Sequence, residues 1–146
     1  MTTYNFYSNS SLQAGGGLPA TATPGDTSTI KVRRGICDTT KQQLNNADVA
    51  QVVPVFAGEV VLDMYARVIT ADTTTNLDLE VGFGGGTELG QNVATTPANL
   101  LHTNGNFVPL YFAANNYATI MPNNAVACDA GVFEVVLVVT KSFDKM

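Results

Sequence analysis

The chain has 146 residues, of which 45% are hydrophobic and only 13% are charged, and its formal net charge at pH 7 is −5. This length suits one domain, and the apolar share is sufficient for one hydrophobic core. Seven lysines and arginines against twelve acidic residues argue against nucleic-acid binding, because binding to phosphates depends on lysine and arginine. The surface must therefore be mostly neutral and polar, which favours a permanent assembly, since charged residues are depleted at the centres of interfaces.

The sequence predicts no segment that directs the chain to a membrane. It has no run of about 18 or more apolar residues, which is the minimum for a membrane-spanning helix. Residues 1–4 lack the basic region and apolar core with which a secretory signal begins. We therefore expect synthesis in a cytoplasm and no contact with a membrane.

Residues 1–28 have the composition of an extended N-terminal arm. Tyr4, Phe6 and Tyr7 supply aromatic side chains, and glycines at 15–17 and two prolines follow. Such a segment buries little surface by itself. It is either a frayed terminus or an arm whose aromatic side chains dock on a neighbour.

The pattern of β-strands begins at Thr29. Ile30 and Val32 alternate with Lys31 and Arg33, and this period of two predicts a strand. Lys31, Arg33 and Arg34 form the chain's basic cluster, which is either the solvated face of that strand or a patch that meets an acidic partner. Around residues 49–55 the β-branched residues continue, and Pro54 predicts an edge strand or a bulge because it has no N–H to donate.

The most regular alternation lies at residues 59–70. One face is predicted to be the core and the other to be wet or shared with a neighbour. The residues of the first face are Val60, Leu62, Met64, Ala66 and Val68. Those of the second face are Glu59, Asp63, Tyr65 and Arg67. A second alternating strand at 77–83 follows a short turn, and the short link predicts a hairpin.

The rest of the chain adds a loop and three strands. Residues 84–106 are predicted to form a long polar loop with one helical turn near 98–102. Short strands at 108–114 and 117–121 flank Asn115 and Asn116, which predict a tight turn. The last strand, 132–143, is apolar on both faces, since Val136 and Val138 oppose the core-facing residues, so it is either central or also meets a partner.

These elements predict an all-β fold. About seven or eight short antiparallel strands with turn signals, and no long amphipathic helix, are typical of a β-sandwich or a jelly roll. The chain then divides into the extended arm at 1–28 and a β-sandwich domain at 29–146.

Cysteine and histidine give no sign of catalysis or metal binding. Cys37 and Cys128 are too few for a disulfide scaffold, and we expect two buried thiols, with a single disulfide as the alternative. Neither cysteine has a histidine near it in sequence. His102 is the single histidine and is predicted to lie in a loop.

The remaining polar motifs are weak. The glycines at 82 and 84–86 lack the spacing of a phosphate-binding loop and are predicted to end a strand in a flexible loop. Asp78 and Glu80 share one face of a strand, and Asp63 lies on the strand before it. A solvated face explains these acids, while a cation site or a glycosidase pair are the alternatives. We expect no enzymatic activity, no cofactor and no metal.

Residues 55–71, VFAGEVVLDMYARVITA, resemble a strand found in small structural proteins of tailed bacteriophages. In that family a second strand follows a short turn, and residues 77–84, LDLEVGFG, resemble it. The opening GLP at 17–19 and the strand AGVFEV at 130–135 also fit, so the resemblance covers most of residues 15–140. One departure is the acidic loop of the family, which is GGGT at 84–87 here.

The resemblance implies a decoration (cement) protein on the outer surface of a phage head. Such proteins are β-rich homo-oligomers, most often trimers, that bind the major capsid protein and stabilise the lattice, frequently through an N-terminal arm. It also implies a location on the virion after synthesis in the host cytoplasm. The predicted partner-contact residues are Tyr4, Phe6, Tyr7, Arg33 and Arg34.

Two other functions remain open. A tail, baseplate or fibre component would have the same composition and the same β-rich pattern. A carbohydrate-binding module or a small hydrolase is the alternative from a different class. It would use Tyr111 and Tyr117 as its exposed aromatic residues, and the absence of tryptophan from the chain disfavours it.

Overall fold

The structure is a computed structural model that describes residues 1–6, 30–73, 77–94, 100–102, 109–123 and 127–141, with the backbone alone at 91–94 and 100–102. These residues form ten β-strands and no helix. The strands are β1 (Thr3–Asn5), β2 (Lys31–Asp38), β3 (Val49–Val55), β4 (Glu59–Thr70), β5 (Asp78–Phe83), β6 (Gly90–Ala94), β7 (Leu100–His102), β8 (Leu110–Phe112), β9 (Asn116–Asn123) and β10 (Val132–Lys141). The prediction of an all-β fold is confirmed.

The strands form two sheets of five strands each. Sheet A has the order β1-β3-β9-β5-β6, and sheet B has the order β2-β10-β4-β7, with β8 also paired to β4. Every pair is antiparallel except β1 with β3, which is parallel. From β2 to β5, each strand lies in a different sheet from the strand before it, so the links cross from one sheet to the other.

Both sheets contribute to one hydrophobic core. The predicted core residues Met64, Ala66 and Val68 of β4 are buried there. Leu79 and Val81 of β5 meet them from sheet A. From β10, the core receives Phe133, Val135, Leu137 and Val139. Full burial of such a side chain stabilises the fold by about 1.5–3 kcal/mol, so this core is the main source of stability.

The predicted hairpins are wrong. β4 and β5 do not pair, because β4 lies in sheet B next to β10 and β5 lies in sheet A next to β9. In the same way β8 pairs with β4, whereas β9 pairs with β3 and β5. A short link shows that two strands are close, but not that they belong to one sheet. The predicted loop at 84–106 contains β6 and β7, and residues 100–102 are a strand rather than a helical turn.

β4 contains a bulge that reverses its alternation. Asp63 pairs with Val138 of β10 and Val61 pairs with the adjacent Val139. Leu62 is therefore the extra residue of the bulge. An extra residue of this kind exchanges the faces of the residues before it. Glu59, predicted to face water, is therefore 3% exposed. Val60 and Leu62, predicted for the core, are half-buried.

In β2, Arg33 does not lie on the solvated face where the sequence predicts it. Ile30 and Val32 are each 60% exposed, whereas Arg33 is 5% exposed. Gly35 shares the inner face with Arg33, and a Cβ atom at Gly35 would lie 2.2 Å from the carbonyl oxygen of Val52 in β3. Only glycine permits this approach, so the strand must place residue 35, and with it residue 33, on the inner side.

β3 has the predicted bulge, but at Val52 rather than at Pro54, and it is not an edge strand, because it lies between β1 and β9. In the pairing with β9, Gln51 and Val53 have adjacent partners, so Val52 between them forms a bulge. β1 pairs only with residues 49–51 of β3, and Pro54 therefore lies beyond the end of β1. No donor is needed there on the side of β1.

The first six residues are part of this fold. β1 lies at the edge of sheet A, and Phe6 after it is 5% exposed within the core cluster. The Phe6 N–H donates to the carbonyl oxygen of Gln51 at 2.7 Å, and the Thr2 N–H donates to Asp48 Oδ1 at 2.9 Å. The beginning of the predicted arm is thus a core element. Residues 7–29 lie outside the described residues, and an arm there stays a prediction.

Candidate functional site

The predicted contact residues are not brought together. Tyr4 is half-buried on β1, at the edge of sheet A, and packs against the core cluster that includes Phe6. Tyr7 lies outside the described residues. Arg33 and Arg34 are on β2 in sheet B and point to opposite sides of it. Contact of Tyr4 or Phe6 with a neighbour stays a prediction.

Arg33 is neither on a solvated face nor in a basic patch, because it forms a buried ion pair. Its Nη1 donates to Glu59 Oε2 at 2.8 Å and to the carbonyl oxygen of Pro54 at 3.1 Å, and its Nη2 donates to Glu59 Oε1 at 2.5 Å. Glu59 Oε2 also accepts the Phe56 N–H at 2.8 Å. The guanidinium carbon lies 5.2 Å from the centre of the Phe56 ring. This two-bond pair fixes β2 to the turn between β3 and β4.

The structure does not bring the three acidic residues considered for a cation site together. Asp78 and Glu80 lie on β5 in sheet A, whereas Asp63 lies on β4 in sheet B. Glu80 Oε1 accepts the side-chain amide of Asn123 at 3.3 Å. Within the described part of the chain, no group of three or more histidine, cysteine or acidic side chains could hold a metal ion.

The glycine run folds around one carboxylate. Glu88 Oε2 accepts the Phe83 N–H at 2.9 Å. A Cβ atom at Gly82 would lie 2.1 Å from this oxygen, and one at Gly86 would lie 2.5 Å from it. Gly85 has a φ of +84° and donates its N–H to Thr119 Oγ1 at 2.8 Å. The glycines therefore make room for Glu88 in a hydrogen-bonded turn, where the sequence predicted a flexible loop.

The two cysteines are buried free thiols, as the sequence predicts. Burial raises the pKa of Cys37 well above its usual value, and the nearby charges of Cys128 and Asp38 raise it further. Burial also raises the pKa of Cys128 to about 12. The Cys128 thiol donates to Thr39 Oγ1 at 3.6 Å, which in turn donates to the Gly131 carbonyl oxygen at 2.7 Å. Both thiols thus help to hold the interior.

The residues predicted for sugar binding or catalysis are dispersed. Tyr111 is 47% exposed on β8 in sheet B. Tyr117 is half-buried on β9 in sheet A, where its hydroxyl accepts the Asn5 amide at 3.2 Å. The two rings therefore do not form one platform. His102 lies on β7 rather than in a loop and pairs with Tyr65.

The surface with the clearest potential to bind a partner is the outer face of sheet B. It is built from three rows across β2, β10 and β4. The rows are Val32–Val138–Asp63, Arg34–Val136–Tyr65 and Ile36–Glu134–Arg67. β10 lies at the centre, which confirms the prediction of a central strand, and its valines at 136 and 138 face outward. The sequence signal for this face was the strand that is apolar on both sides.

The charges of this outer face are arranged around Glu134. Arg67 Nε donates to Glu134 Oε1 at 2.9 Å, and Arg34 Nη1 lies 3.9 Å from Glu134 Oε2. The Glu134 side chain is 9% exposed, whereas the Arg34 and Arg67 side chains are 55% and 54% exposed. The acid is therefore enclosed, and the guanidinium groups present donors to the surroundings.

Comparison with known proteins gives a match in fold. No family model and no curated protein sequence matches the chain. A chain in the capsid of Ralstonia phage GP4 has a similar fold, with a TM-score of 0.64 and 14% identity over 88% of this chain and 94% of that chain. A chain in the cyanophage Pam1 capsid asymmetric unit is also similar, with a TM-score of 0.58 and 21% identity over 83% and 92%. At these identities, 14% and 21%, the comparisons show the fold alone. Within the described residues, no helix has the length and apolar character that a membrane crossing requires.

Proposed function

We propose that the chain is a structural protein of a tailed-phage virion, and specifically a decoration (cement) protein that binds the outer surface of the head and stabilises it. The observation that carries this proposal is the similarity in fold to chains of two phage capsid structures, over 88% and 83% of this chain. The sequence resemblance at 55–71 and 77–84 points to the same class of particle.

We further propose that the fold is a jelly roll, which is a kind of β-sandwich. The orders β2-β10-β4-β7 and β3-β9-β5-β6 give four positions in each sheet, with crossings between the sheets along the chain. β7 and β8 pair with different ends of β4 and together take one of these positions. Eight strands in two sheets with Greek-key crossings define a jelly roll, a common fold of viral capsid domains. β1 is then an additional edge strand, and the proposed arm begins after it.

The proposed role is structural rather than catalytic, and the acidic side chains support this because several are used to hold the chain together. Asp48 accepts the N–H groups of Thr2 and Asn45. Asp72 Oδ2 accepts the N–H groups of Asp129 and Ala130 at 3.2 and 3.4 Å. Carboxylates that bind backbone N–H groups in this way stabilise loops and termini.

The proposed partners are the major capsid protein and further copies of the chain, with a trimer as the expected oligomer. The family resemblance suggests the trimer and the N-terminal arm. The low share of charged residues, 13%, supports a permanent location in an assembly, since charges are depleted at interface centres.

Analysis of purified virions tests this proposal. The protein should be present in particles of the phage that encodes it, and antibody labelling or a density map should place it on the head. Heads that lack it should bind the purified protein and become more resistant to heat. Absence from particles would contradict the proposal, and presence in the tail alone would favour the tail, baseplate or fibre alternative.

A further inference from the structure

We infer that the outer face of sheet B is the surface by which the chain docks on its partner, and that the partner surface is apolar at its centre and carries carboxylate or carbonyl oxygens opposite the arginines. This inference rests on the proposed function, in which the partner is the protein lattice of the head. It goes further because it names one face of the fold and the chemistry that this face recognises.

The apolar part of this surface is the first argument. An antiparallel sheet with one wet face normally alternates apolar and polar residues, so its outer positions are polar. Here the central strand presents Val136 and Val138 outward, and Val32 beside them is 60% exposed. Ile30 extends the same side and is also 60% exposed. Val136 and Val138 are half-buried, and Val32 and Ile30 are exposed. Apolar area of this kind on a sheet surface marks an interaction site.

The distribution of charge is the second argument. In the described part of the chain, every lysine and arginine lies on β2, β4 or β10 of sheet B or in the turn after β2, and the strands of sheet A have none. Glu134 is enclosed between Arg34 and Arg67, whose guanidinium groups remain about half exposed. Exposed guanidinium N–H groups beside apolar side chains complement a partner surface that presents oxygen acceptors.

A second copy of the chain fits this surface poorly. Two copies placed face to face would bring the arginines of one copy toward those of the other. The carboxylates of the face, Glu134 and Asp63, already accept hydrogen bonds within the chain. The area is also small. Three strands at a spacing of about 4.8 Å and strands of about 27 Å cover about 400 Å², against about 800 Å² per partner in a stable interface. A contact of this area gives stable binding when several linked copies of the chain bind a repeated lattice at the same time.

Binding to heads that lack the protein tests the inference. We expect Val32→Asp to raise the Kd at least about tenfold, because it places a charge beside the outward valines of β10. Arg34→Gln, which keeps the size but removes the charge, should raise the Kd about fivefold and reduce its dependence on salt. Both residues are more than half exposed, so the circular dichroism and thermal unfolding of the variants should match wild type.

Thr3→Asp is the matched control, because it also adds one aspartate to an exposed position of an edge strand, but in sheet A. Its Kd should stay within about twofold of wild type. The inference would be overturned if Val32→Asp bound normally, if Thr3→Asp weakened binding equally, or if Val32→Asp lowered the oligomeric mass in solution, which would make the face a contact between copies. Failure of the wild-type protein to bind heads would instead contradict the proposed function, and the inference with it.

Discussion

The buried pair of Arg33 and Glu59 gives the sharpest prediction for stability. Replacing Arg33 with methionine removes two charge-assisted hydrogen bonds to Glu59, one to the Pro54 carbonyl oxygen and the contact with the Phe56 ring. The carboxylate then remains in a site where it is 3% exposed. Removal of one member of a buried pair costs about 3–5 kcal/mol, because the other charge is left without compensation.

The double variant should cost much less than the sum of the single variants. In Arg33→Met with Glu59→Gln no charge is buried, and the glutamine oxygen can still accept the Phe56 N–H. The remaining loss is that of the hydrogen bond from Arg33 to the Pro54 carbonyl oxygen, which costs about 1–3 kcal/mol of unfolding free energy. We therefore expect a coupling energy of at least about 2 kcal/mol between the two positions. The loss from Arg33→Met alone would lower the Tm by roughly 10–16 °C in a domain of this size.

Chemical unfolding followed by circular dichroism measures these values, at one protein concentration because association changes apparent stability. Arg34→Met is the matched control, since Arg34 is the next residue on β2 but its side chain is 55% exposed and lies 3.9 Å from Glu134. It should cost no more than about 1 kcal/mol. A coupling energy below about 0.5 kcal/mol, or an equal loss from Arg34→Met, would refute the reasoning.

Three further predictions concern single sites. Gly35→Ala should destabilise the chain by about 1–3 kcal/mol in chemical unfolding, because its Cβ would lie 2.2 Å from the Val52 carbonyl oxygen; a neutral effect would contradict this close approach. Hydrogen bonds from the backbone of Asn45, and also from Thr2, lower the pKa of Asp48, so its contribution to stability is present above the ordinary aspartate pKa of about 3.9 and is lost as pH falls through the lower native value. Unfolding of Asp48→Asn should therefore vary less between about pH 5 and pH 2 than that of wild type, and equal slopes would exclude this contribution. The thiols, with the pKa of Cys128 at about 12, should resist Ellman's reagent at pH 8 until the chain unfolds, and rapid labelling of the native protein would show that they are accessible.

Alternation identified strands correctly but not always their faces. From Met64 to Val68 the predicted and observed faces agree, because the strand is regular there. Before that segment the bulge at Leu62 reverses the faces, and no residue type in the sequence marks it. The hairpins failed for a related reason, since a short link carries no information about which sheet receives the next strand. Sheet membership depends on packing between segments that are distant in sequence.

The errors at Arg33 and Glu59 have one common cause. Each residue taken alone is expected to face water, because burial of a single charge is very costly. Together they neutralise each other's charge inside the fold, but they are 26 residues apart in sequence and lie on strands that do not pair with each other. A prediction made for each residue separately therefore places both side chains in water, although the two are buried as an ion pair. The sequence indicates the candidate surface only in part, through the two apolar faces of β10. The outward position of Val32 follows from the inward position of Arg33, which depends on this pair.

The buried pair of Arg33 and Glu59 and the candidate docking surface lie on opposite sides of β2. Because side chains alternate, a strand that places Arg33 and Gly35 inside must place Val32 and Ile36 outside. Hydrophobicity alone would favour the reverse, with Val32 buried. Two contacts require residues 33 and 35 of β2 to point inward. Gly35 has no space for a side chain beside Val52, and the buried Glu59 needs a cation, which Arg33 supplies. The pair thus does more than contribute stability, because it helps to hold β2 in the phase that places Val32 beside the outward valine at 138 of β10.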